Sequence, residues 1–251
     1  MIKKRVIPTL LLSDNRLVKT IKFKKPFYIG DPLNVIRIFN QKKIDELMIL
    51  DIGKKRFDED NINYSLIREI AGECFMPLSY GGGINNIETA DKLFSLGIEK
   101  LCLNKSILYD QDLITKISRK YGSQSIISVI NIKKSFLKKN LVYDHSTRNT
   151  VNLDPFDLAN KYIEAGSGEI MIQFVDEEGT MNGVKDGNLS LFKDKFNCPV
   201  IYSGGTKSLE CIKKTFMYNY DAISVGSFFT FSKNREGVLI TYPKREFLDE
   251  F

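Results

Sequence analysis

One histidine in 251 residues leaves little room for the commonest proton-transfer chemistry. Schemes that pair a serine or cysteine with an imidazole need that imidazole beside a nucleophile. His145 lies instead in the polar run YDHSTRNT, which reads as a hairpin or loop and gives it a structural role. Cysteine is equally thin. Cys74, Cys102, Cys198 and Cys211 are scattered with no C-x-x-C pair, so neither a zinc site nor a disulfide framework is expected, and no metal or cofactor is implied. No apolar run approaches the roughly 20 residues of a bilayer span, and MIKKR does not open a signal peptide. Nor does a Pro/Gly/Ser-rich linker, a charge block or a low-complexity stretch divide the chain. These absences predict a soluble cytoplasmic protein, with no membrane partner, built as one domain over residues 1–251.

What is present fits one large α/β domain: 43% hydrophobic and 27% charged residues are enough to bury a sizeable core. The net charge of +6 is modest and spread along the chain. It favours small anions, while basic residues without interleaved aromatics give no nucleic-acid signature.

Short apolar runs alternate with amphipathic segments, the pattern of β/α units around a parallel sheet. Eight runs read as strands: 5–11, 47–52, 77–81, 100–104, 125–131, 169–175, 199–204 and 222–227. The segments DPLNVIRIFNQKK, INNIETADKLFSLG and DPFDLANKYIEAG open on Asp-Pro or Asn, and the latter two close on Gly, as helix starts and stops do. Eight such units in this length match a (β/α)8 TIM barrel; a doubly wound open sheet is the alternative. An internal echo favours the barrel. LSYGGGI then KLCLNKS recurs as IYSGGT then AISVGS, with Gly83 and Gly205 lying 122 residues apart, as do Asn104 and Gly226. Two half-barrels of four units each would produce it.

In such a barrel the chemistry sits where strands end. The strand ends here include Asp51, Gly81, Gly82, Gly83, Asn104, Asn131, Asp176, Gly204, Gly205, Gly226 and Ser227. Glycines before a helix start leave backbone N–H groups open to a phosphate. The repeat offers two such places: Gly82 and Gly83 with Asn104 and Lys105, and Gly204 and Gly205 with Gly226 and Ser227. Two anion sites on one mouth suit a ligand with two phosphates, although the same glycines also make tight β/α turns.

The runs KKRVIPTLLLSDNRLVK, GDPLNVIRIFNQKKIDELMILDI, SYGGGI, YGSQSIISVI, GSGEIMIQFVDEEGTMNG and YSGGT together resemble the cyclase subunit of imidazole glycerol phosphate synthase, the barrel partner of a glutaminase. That likeness runs to about Phe231. It implies ammonia taken from glutamine, passed through the barrel and used to cleave and cyclise a bisphosphorylated histidine-pathway intermediate. The family's two catalytic aspartates, at the ends of strands one and five, match Leu11 and Asn131 here. Neither residue exchanges protons near neutral pH; Asp14, Asp51 and Asp176 are the nearest candidate substitutes. The family's ammonia gate, at the other end of the barrel, matches Arg5, Glu46, Lys100 and Glu169, and the face around it, with Asp45 and Glu99, is where a glutaminase would dock.

A barrel with gate and glycines but without the acids is similar to the second cyclase-like proteins encoded with bacterial surface-polysaccharide genes, the acetamidino-modification family. The ending EGVLITYPKREFLDEF departs from the cyclase tail and resembles that branch. The resemblance implies two protein partners, a glutaminase and an ATP-dependent sugar amidotransferase, and a phosphorylated small molecule or nucleotide sugar as ligand. The polar run YDHSTRNT leads to the expectation of a β-hairpin insertion near 132–150, and the departing ending to that of a divergent tail near 232–251. A working histidine-pathway cyclase and a non-conducting scaffold for a glutaminase are the alternatives.

Overall fold

The computed structural model describes residues 3–53, 62–136, 139–192, 194–232 and 237–251. The strands are β1 (Arg5–Ser13), β2 (Arg16–Ile21), β3 (Lys24–Gly30), β4 (Leu47–Asp51), β5 (Leu78–Gly81), β6 (Lys100–Leu103), β7 (Ile126–Lys134), β8 (Asn140–Asp144), β9 (Asn149–Val151), β10 (Glu169–Phe174), β11 (Val200–Ser203) and β12 (Ala222–Val225). Eight of them pair in parallel, in the order β1, β4, β5, β6, β7, β10, β11, β12, and β12 returns to β1. These eight strands close on themselves and leave no edge among them, and the protein is a (β/α)8 TIM barrel. The helices are α1 (Pro32–Gln41), α2 (Tyr64–Glu73), α3 (Ile87–Ser95), α4 (Asp112–Tyr121), α5 (Pro155–Glu164), the single turn α6 (Asp186–Leu189), α7 (Leu209–Met217) and α8 (Arg245–Leu248).

Local chemistry sets the helix starts. The carboxylates of Asp31 and Asp154 accept from backbone N–H groups at the starts of α1 and α5, each with Pro next, and Asn86 does the same for α3. The internal repeat holds in the backbone: β5, α3 and β6 recur as β11, α7 and β12 at the same spacing. Gly82 and Gly83 (φ 132° and 71°) are matched by Gly204 and Gly205 (φ 125° and 80°).

Alternation along each strand divides the core in two. Outward-facing residues pack with the helices in the larger apolar cluster. Ile7, Met48, Cys102, Ile127, Val129, Met171, Ile201 and Ala222 fill the barrel itself. All four cysteines are free thiols, and burial holds that of Cys102 far above its ordinary range.

Two antiparallel additions extend the strands beyond the barrel mouth. After β1 the chain turns through Asp14 and Asn15 into β2, then through Lys22 and Phe23 into β3, all four with φ between 50° and 64°. After β7, β8 and β9 pair antiparallel, with His145 in the turn between them; residues 137 and 138 of this segment lie outside the described residues. The C-terminal segment runs the height of the barrel. Val238 bridges to Phe231, Tyr242 donates to the Val6 carbonyl at 3.0 Å, and Phe251 packs on Phe216 of α7. Residues 233–236 of the expected tail lie outside the described residues. Among the described residues no helix is long and apolar enough to cross a membrane.

Candidate functional site

At the N-terminal end of the barrel, Arg5, Lys100 and Glu169 open their strands and Glu46 precedes β4 by one residue, so all four side chains meet. Arg5 Nη1 donates to Glu46 Oε2 at 2.7 Å and Nη2 to Glu169 Oε2 at 2.6 Å. Lys100 Nζ lies 2.6 Å from Glu169 Oε1 and 3.4 Å from Glu46 Oε1, and Ser79 Oγ adds a bond to Glu46 at 3.0 Å. Each cation thus bonds both anions, and the ring is closed. The Glu46 side chain is 4% exposed and that of Lys100 19%, so the charges are largely withdrawn from water and depend on one another. Burial alone would lower the Arg5 pKa; the bonds and charges of Glu169 and Glu46 outweigh it and raise the value.

Asp45, next to the ring, is already engaged. Arg245 of α8 bonds it at 3.0 Å and Lys3 lies 3.5 Å away. The backbone N–H of Glu99 bonds the Leu78 carbonyl, which places Glu99 on the same face.

The mouth is built differently. The β2–β3 hairpin crosses it: Lys22 N donates to the Glu178 carbonyl at 2.9 Å, and the Phe23 ring sits 6.2 Å from that of Tyr143. Gly179 (φ 69°) packs so closely on the Thr20 carbonyl that a Cβ there would come within 2.0 Å of it. Beneath this roof lies Lys19, 3% exposed, its Nζ bonded to the Thr9 carbonyl at 2.8 Å. Burial lowers the Lys19 pKa to about 8, against the charge of Glu178. Burial raises the Glu178 carboxyl, opposed by Lys19 and by hydrogen bonds from Gln173 and Ser203. Gly226 lies against this lysine: a Cβ built there would meet Lys19 Nζ at 2.7 Å, so any larger residue would push the ammonium aside.

The second glycine pair borders a cavity of about 10 Å³ among Gly204, Gly205, Thr206, Gly226, Ser227 and Glu178. The Thr206 hydroxyl is buried there without a partner. In the first half-barrel, Asn104 precedes a 3₁₀ turn, Lys105–Ile107, as Gly226 precedes Ser227–Phe229, and their ψ angles are −83° and −88°. The glycines are also required by close packing, because a Cβ on Gly82 would sit 2.6 Å from the Asp51 carbonyl, and one on Gly205 2.7 Å from that of Gly183.

Leu11 and Asn131 are both buried at strand ends. Asn131 Nδ2 donates to Asn104 Oδ1 at 3.3 Å. The three other acids hold local structure: Asp51 accepts from Gly53 N at 2.9 Å, Asp176 from Lys134 N at 2.9 Å, and Asp14 stands in the exposed β1–β2 turn. Lys19 and Glu178 were not singled out from sequence. A lysine within the buried run Leu17–Thr20 is the one local sign of unusual placement, and its meaning depends on a glutamate more than 150 residues away. Among the described residues no group of three His, Cys, Asp or Glu is placed to hold a metal ion.

The profile of the family described as histidine biosynthesis protein matches residues 5–235. A provisionally named imidazole glycerol phosphate synthase subunit hisF2 of Pseudomonas aeruginosa is 42% identical over 99% of both chains. A provisionally named HisF subunit of that synthase from Leptospira interrogans is 40% identical over 98% of this chain and 97% of its own. The imidazole glycerol phosphate synthase subunit HisF of Chlorobium luteolum is 34% identical over 93% of each. With a closed eightfold barrel and a match over nearly its whole length, the chain belongs to the histidine biosynthesis protein family, as a relative of the imidazole glycerol phosphate synthase subunit HisF.

Proposed function

We propose that this barrel is the ammonia-delivering subunit of a glutamine-dependent amidotransferase complex. A glutaminase docks on the N-terminal face around Asp45 and Glu99 and releases ammonia at the ring of Arg5, Glu46, Lys100 and Glu169. The barrel conducts it, and an ATP-dependent sugar amidotransferase at the mouth uses it to turn the N-acetyl group of a nucleotide sugar into an acetamidino group for a bacterial surface polysaccharide. The observation that carries this reading is the closed ring of two cations and two anions, 2.6–3.4 Å apart, set across the barrel's end. Its parting would open a passage lined by Ile7, Met48, Val129 and Met171, which offers neutral ammonia no proton and no charge. Leu11 and Asn131 at the far end fit a passage better than a reaction centre, because neither exchanges protons at neutral pH.

The test is Lys100→Leu in the assembled complex. Glutaminase binding should persist, glutamine-dependent amidination should fall, and free ammonium salt should still support the reaction. If both activities stay unchanged, the barrel is a scaffold and not a conduit. The histidine-pathway cyclase is the second reading. One observation favours it: the buried Lys19 and the half-buried Glu178, whose pKa values are shifted toward each other, would supply proton carriers in place of the missing acids. Turnover of the histidine-pathway bisphosphate with ammonium salt decides between the two.

A further inference from the structure

At the mouth a run of amides ends on an oxygen that accepts nothing. Asn104 Nδ2 donates to the Val129 carbonyl at 2.7 Å, which fixes that amide and turns its Oδ1 toward Asn131. Asn131 answers with Nδ2 at 3.3 Å. Its own Oδ1, on a residue 4% exposed, is then left without a donor. Ile127 and Val129 precede it on the inward side of β7, so this acceptor stands where the apolar interior of the barrel gives way to the mouth. A buried carbonyl oxygen left unmet is destabilising, because it has given up water and gained no donor. The place therefore favours a small guest with N–H or O–H to give. A charged guest would need a counter-ion that two amides do not supply.

We propose that Asn131 Oδ1 is a station for neutral ammonia, accepting an N–H as the molecule leaves the apolar interior; this rests on the conduit reading above. An amide carbonyl takes an N–H without offering charge. A carboxylate in the same position would hold ammonium as an ion pair, and would set an oxygen against Asn104 Oδ1. Asparagine at this strand end thus lets ammonia pass without trapping it as ammonium, and water competing for the same acceptor keeps each stay short.

The barrel alone tests this, with asparagine side chains labelled for NMR and ammonium chloride titrated against matched sodium chloride. Runs at about pH 6.5 and about pH 8.5 differ about a hundredfold in neutral ammonia at equal total ammonium. The Asn131 side-chain resonance should move at the higher pH and need about a hundredfold more salt at the lower. An equal response at both pH values, or none, overturns the proposal. In Asn131→Asp the Asn104 resonance should follow total ammonium instead; a response like that of the unaltered protein also overturns it. A silent Asn131 together with an impaired Lys100→Leu complex removes this station and leaves the conduit, whereas an unaffected Lys100→Leu complex removes both.

Discussion

At the N-terminal end of the barrel two cations and two anions satisfy one another in a ring, while at the mouth Lys19 is drawn inside beneath a hairpin with the half-buried Glu178 as its counter-charge. Both arrangements bury charge, yet only the first closes every bond in a symmetric set. The ring needs little beyond its own four side chains and Ser79. The mouth pair takes help from Thr9, Gln173 and Ser203, and its lysine packs against Gly226. The ring's bonds thus lie almost wholly among its own members, while those of the mouth pair are shared with its neighbours.

The sharpest way to break this comparison is to ask the mouth for cyclase chemistry. Each missing proton carrier is worth roughly 10²- to 10⁴-fold, so with Leu11 and Asn131 in place the protein should turn over the histidine-pathway bisphosphate with ammonium salt at no more than trace rates. Product analysis against an authentic cyclase subunit checks this. The double change Leu11→Asp, Asn131→Asp should gain measurable rate if the ancestry is cyclase. Robust turnover by the unaltered protein would make the mouth, and not the ring, the centre of its function.

Next in size is the ring itself. Lys100→Leu leaves two mostly buried carboxylates facing one arginine, and removing one partner from such a set costs about 3–5 kcal/mol. Residual exposure of the lysine places the expected loss at the low end, about 3 kcal/mol, read by denaturant unfolding. Adding Glu46→Gln should return part of it, because the surplus anion is then gone. A loss under about 1 kcal/mol in the single variant would mean that water screens the ring as it does surface pairs.

The mouth pair should behave in the opposite way, because its removal ought to stabilise. Lys19 titrates near 8 in the fold against 10.5 when free, so below about pH 8 both states are protonated and the burial cost is fully present, about 3 kcal/mol. Between about pH 8 and 10.5 the unfolded chain holds a proton that the fold lacks, and stability from this group rises with pH. Replacing Lys19 alone strands Glu178, whose carboxyl burial already pushes up. The double variant Lys19→Met, Glu178→Gln is therefore the informative one. It should gain about 2–3 kcal/mol at pH 7 and progressively less by pH 10. An equal gain at both values would show that the lysine's burial is not the source.

These contrasts also explain what was legible in the chain. The barrel strands are short apolar runs between capped helices, and Asp31, Asn86 and Asp154 announce their helices locally, so the eight units could be counted. The ring was legible through resemblance alone, since nothing in the surroundings of Glu46 or Lys100 says that they meet across the barrel. The β2–β3 roof was missed because its turn residues, Lys22 and Phe23, take positive φ without the Asn-Gly or Asp-Gly that usually signals such a turn. Missing the roof meant missing Lys19, whose burial depends on it.

The smallest expected effect compares the two glycine-rich anion sites. Both halves present the same backbone, with paired positive-φ glycines and a 3₁₀ turn after the neighbouring strand. Geometry alone would make them equal hosts for phosphate. Their surroundings differ. The second has the unpartnered Thr206 hydroxyl and the Lys19 ammonium close to Gly226, but also the Glu178 carboxylate on its wall. The first has Lys105, a bulkier cation in the position matching Ser227, and Asn104, whose amide is already committed to the Val129 carbonyl. A donor without a partner is worth about 1 kcal/mol to an anion that supplies the acceptor, and the opposed charges of Lys19 and Glu178 largely cancel. Inorganic phosphate should therefore bind more tightly at Gly205, Gly226 and Ser227 than at Gly83 and Asn104, by about fivefold, and Thr206→Val should erase the difference. Backbone amide shifts of Ser227 and Lys105 during one phosphate titration read both sites at once. Stronger binding at Lys105 would mean that charge, and not a waiting hydroxyl, decides which half of the barrel holds the anion.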